Sequence, residues 1–339
     1  MSDDRTTNPR LLRRLCIDVL QRTPSAAERR AMTDAPVAAV VARLLASHEA
    51  MQVFVEEELW YFLLIDVFRP RTKNFEDLPE RLRTGAATPH DAVAEVLLST
   101  SFSLRNPGND TFVTVVLEQC LGVRVQDRAS APLLAAGKQM YDGRKARLLG
   151  KDGASQSDFV RIVLADPSFT RHLLDRHHRR VLGVPLPRDF AVDAVHADPK
   201  RFFATLRGWL SSPAYEATLA TPRAKTDHQF VRSLYMDLLE RTPDHEELRN
   251  MRNALTSMAD PAPLRAVLAK VLLDSGKARL PAHEKGKEGA FVAACFERYL
   301  SRTPTQQESA RFVTAMTEGV ATPTHVVRAL VASPEAAYH

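Results

Sequence analysis

Three arginines stand at the same place in a recurring Arg-Thr-Pro tripeptide, and a glutamate follows each proline by four residues. The pairs are Arg22 with Glu28, Arg241 with Glu247, and Arg302 with Glu308. A guanidinium carries a planar fork of donors that suits a carboxylate, or the carbonyls left free where a helix ends. We therefore expect each arginine to make bidentate hydrogen bonds to its glutamate or to such carbonyls, in a structural role. The alternative is a solvated charge that contributes little to stability.

Two other groups of residues suggest chemistry but lack the required spacing. Gly143-Arg-Lys-Ala-Arg-Leu-Leu-Gly-Lys-Asp152 resembles a phosphate-binding loop, yet six residues separate its glycines and an aspartate follows the lysine, so we interpret it as a basic surface loop. Four histidines, His172, His177, His178 and His196, are concentrated in one region. No two of the first three are four residues apart, the spacing of helical zinc sites, which favours packed histidines over metal ligands.

Composition favours a globular chain that is not held together by disulfide bonds. The 339 residues carry 46 basic and 41 acidic side chains, and this mixed balance favours solvated helix faces over a nucleic-acid surface. Three widely separated cysteines predict buried thiols instead of disulfides or a metal knuckle. No apolar run approaches the roughly 20 residues of a membrane span, and the polar first residues lack a signal sequence. We expect a cytoplasmic protein with no membrane span and no bound cofactor.

The elements that position the arginines are predicted to be helices. Phe230, Leu234, Tyr235 and Leu238 form one apolar stripe at helical spacing, with Asp237 and Arg241 on the opposite flank. After each Arg-Thr-Pro, a Ser, Asp or Thr stands three residues before the glutamate, which is the spacing of a capping box. Thr23, Thr242 and Thr303 are alternative caps, with proline at the first helical position. Each signature thus predicts a helix, a corner and a second helix.

A second pattern closes each unit: two apolar residues, a small or acidic residue, and then a residue type that caps helices. We predict that a helix begins after each of these caps, which are Ser47, Thr100, Asp166, Ser212, Ser275 and Ser333. The six closures predict an all-α array of about six helical repeat units, like an α-solenoid, with no significant β-sheet. The repeat register also places the β-branched run Val113–Val116 in a helix.

The repeats divide the sequence into predicted segments. Residues 1–10 are expected to be a flexible arm, 11–105 to hold the first two repeats, and 106–220 to hold two irregular repeats with an insertion at 125–158. Residues 221–228 are predicted to link these to the two regular repeats of 229–339. The polar stretch from Arg69 to Pro89 is predicted to be a connector.

The stretch Leu234-Tyr-Met-Asp-Leu-Leu-Glu-Arg-Thr-Pro-Asp-His-Glu-Glu247, with the close Ala332-Ser-Pro-Glu335, resembles a bacterial helical repeat domain of unknown function that is similar to the phycobilisome linker domain. The resemblance is specific for the first, fifth and sixth units and implies an all-helical interaction module. Leu121-Gly-Val-Arg-Val-Gln126 is similar to a segment of planctomycete cytochrome-associated proteins that leads into a Cys-x-x-Cys-His haem site. Here Asp127-Arg-Ala-Ser130 follows, so covalent haem is not implied.

These observations favour a non-catalytic scaffold or linker module that binds other proteins of a bacterial assembly, with a homo-oligomer as a possible state. Two alternatives stay open. One is an enzyme or metal-binding protein with its site between the 125–158 insertion and the His172–His196 region. The other is a polyanion-binding or nucleic-acid-binding protein that uses basic clusters at Arg10–Arg14, Arg144–Arg147 and Arg176–Arg180.

Overall fold

The protein is all-α, as predicted. The computed structural model describes residues 5–63 and 73–339. Its helices in chain order are α1 (Pro9–Leu20), α2 (Ala26–Met32), α3 (Val37–Leu45), α4 (His48–Leu63), α5 (Lys73–Thr84), α6 (Pro89–Leu97), α7 (Thr100–Arg105), α8 (Gly108–Leu121), α9 (Ala131–Tyr141), α10 (Gln156–Leu164), α11 (Pro167–Leu182), α12 (Val192–Ala197), α13 (Arg201–Leu210), α14 (Pro213–Ala217), α15 (Asp227–Leu239), α16 (His245–Thr256), α17 (Ala262–Asp274), α18 (Glu288–Leu300), α19 (Gln306–Thr317) and α20 (Pro323–Val331). Short 3-10 turns lie at Arg128–Ser130, Thr218–Ala220 and Glu335–Ala337.

The only sheet among the described residues is one antiparallel hairpin, β1 (Ala146–Leu148) and β2 (Lys151–Gly153), with Arg147 opposite Asp152. It occupies the predicted insertion, which also contains α9. Leu149 and Gly150 form its turn with φ angles of 50° and 79°, the left-handed conformation that two-residue hairpin turns require. The glycine-containing stretch that resembles a phosphate loop is therefore a hairpin.

The chain forms two compact units whose boundaries differ from the predicted segments. Unit 1 combines the residues up to Leu44 with Pro213–His339, and unit 2 is Leu45–Ser212. The first predicted repeat thus shares a unit with the last two, because long-range contacts, which no local pattern encodes, define the units. The array of about six repeats stays a prediction.

Unit 1 contains three helix pairs joined by Arg-Thr-Pro corners: α1 with α2, α15 with α16, and α18 with α19. Every residue from Phe230 to Leu239 of α15 is buried, and so is every residue from Leu11 to Leu20 of α1. The prediction of one apolar stripe with a polar flank is therefore wrong for α15. The acidic residue Asp237 lies in the core, where it accepts a hydrogen bond from Thr23.

Unit 2 packs α4 against α5 and α6, and α8 against α9, α10 and α11. The β-branched run at 113–116 lies in α8, as the repeat register predicts, because its valines 113 and 116 are buried against neighbouring helices. Tertiary burial here outweighs the local preference of β-branched residues for strands. Rings of Phe102, Phe112 and Phe159 meet in this core.

Three predicted segments differ in the structure. Residues 1–4 of the predicted arm lie outside the described residues, but Thr6 forms a bridge with Pro36 and Thr7 is buried, so residues 5–10 belong to the fold. The predicted linker at 221–228 is also integrated, because Lys225 is buried and Ala224 forms a bridge with Tyr338. Residues 69–72 of the predicted connector lie outside the described residues, and the stretch from Lys73 to Thr84 is the helix α5.

The predicted helix caps have mixed outcomes. Ser47, Asp166 and Ser333 each accept a hydrogen bond from a backbone amide two or three residues further on, although a 3-10 turn and not an α-helix follows Ser333. The cap of α7 is Ser99, and Thr100 is already helical. The helix α14 does begin after Ser212, whose hydroxyl donates back to the Trp209 carbonyl.

The prediction of a helix after Ser275 is wrong. Ser275 ends α17, and the next helix begins only at Glu288. Gly276 follows with φ of 70°, a left-handed conformation that terminates helices, and this conformation stops the chain from continuing as a helix.

No single helix among the described residues is long and apolar enough to cross a membrane. One bent pair, Val37–Leu45 with His48–Leu63, reaches the necessary length and composition when its two helices are counted together.

Candidate functional site

The repeated feature of unit 1 is the corner between two helices. The first corner comprises residues 21–28, the second 240–247 and the third 301–308. In each, the residue before the arginine ends the first helix in the left-handed conformation, with φ of 54° at Gln21, 55° at Glu240 and 57° at Ser301. None of these is glycine, although this conformation costs about 1 kcal/mol in other residues. The conformation directs each following arginine out of the helix and toward the next one.

Each arginine holds the glutamate of the second helix with two parallel hydrogen bonds. In the first corner, Nη1 and Nη2 of Arg22 donate to the two carboxylate oxygens of Glu28 at 2.7 and 2.9 Å. Arg22 Nη1 also donates to the Thr23 carbonyl at 3.0 Å. The second and third corners repeat this pattern, with guanidinium-to-carboxylate distances between 2.7 and 2.8 Å. The arginines thus bind the glutamates, which is one of the two alternatives considered from the sequence. The carbonyl that each arginine also contacts belongs to the following threonine and not to the end of the preceding helix.

The same glutamates close capping boxes, so the caps are Ser25, Asp244 and Thr305 and not the threonines of the tripeptide. In the first box, the Ser25 amide donates to Glu28 at 2.7 Å, and the Glu28 amide donates to the Ser25 hydroxyl at 3.2 Å. One carboxylate therefore joins the arginine, the cap and the second helix.

Hydrogen bonding shifts the pKa values of these carboxylates. Burial alone raises the pKa of Glu28, but the hydrogen bonds and charge of Arg22 outweigh burial and leave that pKa below its ordinary value. Arg302, followed by the Thr305 amide, lowers the pKa of Glu308 to about 2. The glutamates are therefore ionised at neutral pH and serve as structural acceptors, not as proton donors.

The first corner differs from the others because it docks on α15. The Thr23 hydroxyl donates to Asp237 Oδ1 at 2.7 Å, and the Ala26 amide donates to Glu240 Oε2 at 3.0 Å. Arg29 lies 3.4 Å from the other Glu240 oxygen, which also accepts from Arg298 at 2.8 Å. Glu240 therefore connects all three helix pairs of unit 1.

A second buried polar cluster surrounds Asp18. One of its carboxylate oxygens accepts from Arg14 Nε at 3.0 Å and from the Tyr215 hydroxyl at 2.8 Å, and the other lies 3.2 Å from His339 Nε2. Burial acts to raise the pKa of Asp18, but His339 and Arg14 outweigh it and leave the pKa lowered. No local sequence pattern reveals this cluster, because its members lie up to 321 residues apart.

In unit 2, two of the singled-out histidines meet polar residues of α4. Buried Glu58 accepts from Arg176 at 2.5 Å and lies 3.2 Å from His177 Nε2. Burial lowers the pKa of His177 to about 4, so the imidazole is neutral at pH 7. His172 Nε2 lies 3.2 Å from the Tyr61 hydroxyl. Glu58 and His177 are almost fully buried, so the contact between them lies within the packing.

The other two histidines are also packed. The Nδ1 atom of His178 lies 2.8 Å from the Val184 carbonyl oxygen. His196 belongs to a different contact, in which Nδ1 of His196 and Nε2 of His90 lie 3.0 and 2.9 Å from the Thr170 hydroxyl oxygen. Within residues 5–63 and 73–339, no group of three or more His, Cys, Asp or Glu side chains is arranged to hold a metal ion. All three cysteines, Cys16, Cys120 and Cys295, are buried, as predicted.

Two of the three basic clusters have arginines that are buried or paired with acidic residues inside their own units. Arg13 and Arg14 are buried in α1. The three arginines of the 176–180 cluster pair with Glu58, Asp175 and Glu57 respectively. The Arg144–Arg147 cluster differs, because its Arg144 and Arg147 side chains are 69% and 70% exposed, so the polyanion-binding alternative stays open.

No protein-family model matches the chain, and a search of curated proteins finds no relative.

Proposed function

We propose that the protein is a non-catalytic interaction module that binds other proteins of a larger bacterial assembly. One observation carries this proposal: the helices that follow the second and third Arg-Thr-Pro corners still expose much of their surface, although all three corners share the same arginine–glutamate bonds. All residues of α19 are at least partly exposed, and Val320 just beyond it is 73% exposed.

The neighbouring helix α17 adds to the exposed apolar surface of unit 1. Val267 and Val271 lie four residues apart on one face and are each about half exposed, whereas Leu268 and Leu272 on another face are buried. Contiguous exposed apolar surface marks sites that bind protein partners, and we propose that these two valines belong to such a surface. The charges of the corners contribute to the fold, which leaves recognition to the exposed helix faces.

The test is affinity purification of the full chain at its native level, followed by quantitative mass spectrometry. We expect at least one protein to co-purify in a fixed ratio. A variant that carries both Val267→Ser and Val271→Ser should lower that ratio, while its circular dichroism spectrum stays unchanged. Recovery of the chain alone, sedimenting as a monomer under mild conditions, would contradict the proposal.

A further inference from the structure

A short segment after α20 lies across the buried polar groups of unit 1. It comprises residues 336–339, which we call the strap, and it pairs by backbone hydrogen bonds with the chain just before α15. The Lys225 amide donates to the Ala337 carbonyl at 2.8 Å. His339 makes two further bonds, of 2.9 and 3.0 Å, with the backbone of Arg223. The backbone pairing of the strap is therefore short.

Side chains of the core also bind the strap. Arg14 Nη1 donates to the His339 carbonyl at 2.6 Å. Lys225 Nζ donates to the Ala336 carbonyl at 2.8 Å. The imidazole adds a third contact, because His339 Nε2 lies 3.2 Å from Asp18 Oδ1. Arg14, Asp18 and Lys225 are between 1% and 6% exposed, so the strap provides partners for three side chains that water scarcely reaches.

Apolar burial contributes little to the docking of the strap. Ala336 and Ala337 are buried but have very small side chains, and Tyr338 is 46% exposed. The residue before the strap is anchored separately, since Arg302 donates to both carboxylate oxygens of Glu335 at 2.6 Å. The polar contacts therefore decide whether the strap is docked, and the backbone after Glu335 is the point about which it can move.

Protonation of His339 opposes docking. Its side chain is 4% exposed, and Nδ1 has no hydrogen-bond partner among residues 5–63 and 73–339. A neutral imidazole that donates from Nε2 to Asp18 keeps Nδ1 as a bare acceptor, whereas a protonated ring adds a buried N–H without an acceptor. Burial lowers the pKa of His339, although the hydrogen bond and charge of Asp18 act in the opposite direction. The docked strap therefore binds a proton less readily than a free strap.

Lys225 acts in the same direction. Burial lowers the pKa of Lys225 well below its ordinary value, and the charge of Arg13 adds to this effect. Asp237 raises that pKa but does not outweigh burial. An amine that water can reach regains an ordinary pKa of about 10.4 and is protonated at neutral pH. Both bases that contact the strap therefore bind protons more readily once the strap has left.

The other charged or titratable groups of this cluster lie on several elements. Arg13, Arg14 and Asp18 are on α1, Tyr215 is on α14, Asp237 is on α15, Arg265 is on α17, and Arg223 lies beside the strap. Arginine side chains stay protonated in proteins. The pKa of Asp18 is lowered and that of Tyr215 is raised well above its ordinary value, so neither group changes charge between pH 7 and 5. His339 and Lys225 are therefore the bases whose protonation is coupled to the strap.

We propose that residues 336–339 form a pH-sensitive strap, which is closed at neutral pH and opens as the solution becomes acidic. His339 and Lys225 bind protons in the open state, and this binding favours opening by up to about tenfold per pH unit for each group. Opening also uncovers Arg14 and Asp18, so that acid gives unit 1 a polar surface which the closed strap covers. The inference concerns the fold of unit 1 and does not depend on the proposed interaction function.

The experiment measures amide hydrogen exchange of the full chain, labelled with ¹⁵N, at pH 7 and pH 5. The intrinsic rate at each pH is divided by the measured rate, which gives a protection factor without the chemical pH dependence of exchange. We expect the protection of the Lys225 and His339 amides to fall on acidification. His339 should contribute up to about 25-fold to this fall, because its ordinary pKa is about 6.5. The amides of α16, in the same unit, are the reference and should lose less protection.

Two variants and one control separate the contributions. His339→Gln donates to Asp18 from its amide but does not titrate, so its protection should fall less than that of the wild type, by a factor of up to about 25. The double variant with Lys225→Met also lacks the second base, and its protection should not depend on pH. His228→Gln is the control and should keep the wild-type response. Burial lowers the pKa of His228 to about 4, but no hydrogen bond joins its ring to the strap in the part of the chain that the structure describes.

The inference is overturned if the strap has the same protection at both pH values, or if protection falls equally in the wild type and in His339→Gln. A response that persists in the double variant, or that His228→Gln abolishes, would also overturn it. A second measurement uses the wild-type chain alone. The ring proton shifts of His339, followed against pH, should give a pKa below about 6.5, and a value at or above this would refute the strap because docking would then not oppose protonation.

Discussion

Replacing Arg22 with lysine should destabilise unit 1 far more than replacing Arg241 with lysine, although each arginine makes the same three hydrogen bonds within its corner. Both donate twice to a glutamate and once to the threonine carbonyl that follows. The difference is burial, because the Arg22 side chain is 6% exposed and the Arg241 side chain is 44% exposed.

The expected magnitudes follow from what replaces the lost bonds. Lysine keeps the charge but has no planar fork, so at position 22 one oxygen of Glu28 and the Thr23 carbonyl lose a donor in a place that water hardly reaches. Hydrogen bonds to charged groups contribute about 1.5–3 kcal/mol each, and we expect Arg22→Lys to cost about 2–3 kcal/mol. At position 241 water replaces the lost donors, and the cost should be about 0.5 kcal/mol.

The assay is urea unfolding followed by circular dichroism, with hydrogen exchange to locate the effect. Arg22→Lys should increase exchange in residues 9–20 and 227–239, because the first corner docks on α15. Both tryptophans, Trp60 and Trp209, belong to unit 2, so tryptophan fluorescence provides an internal reference. Equal losses of stability at the two positions, or a loss below about 0.5 kcal/mol at position 22, would refute the argument from burial.

Three further predictions concern unit 2. Thr170→Val should lower the free energy of unfolding by about 2 kcal/mol, because it leaves nitrogens of His90 and His196 without their partner, and Thr170→Ser should restore most of it. Burial, followed by the charge of His196, lowers the pKa of His90 to about 4. Below pH 6.5 the unfolded chain therefore binds a proton that the folded chain does not, and stability should fall between pH 6.5 and 4. His90→Gln should reduce the slope of stability against pH by up to about 1.4 kcal/mol per pH unit, and an unchanged slope would contradict this assignment. Gly137→Ala should cost about 1–2 kcal/mol in thermal unfolding, because an added Cβ would lie 2.5 Å from Val113 Cγ1; an unchanged melting temperature would show that α9 can shift.

Residues close in sequence determined the parts that could be predicted. The arginine and glutamate of each corner are six residues apart, and the serine and glutamate of the first capping box are three apart, so turn geometry alone brings them together. Local spacing also predicted that α15 is a helix, but not that every residue from Phe230 to Leu239 is buried. Dependence on local residues also explains two wrong predictions of helix caps. Thr100 stands one position inside α7, and Ser275 ends α17, although the residues before both resemble those before the true caps.

Only the tertiary structure decided which charges are buried and what the corners contact. Asp18 meets Tyr215 across 197 residues and His339 across 321, and Thr23 meets Asp237 across 214. An aspartate in a helical sequence has the same local pattern whether it faces water or a second helix. Its partners depend on how distant segments pack, and the desolvation that makes such pairs necessary arises only after packing. The sequence alone therefore determined the corner, and the packing of unit 1 decided that the first corner is buried while the third remains exposed.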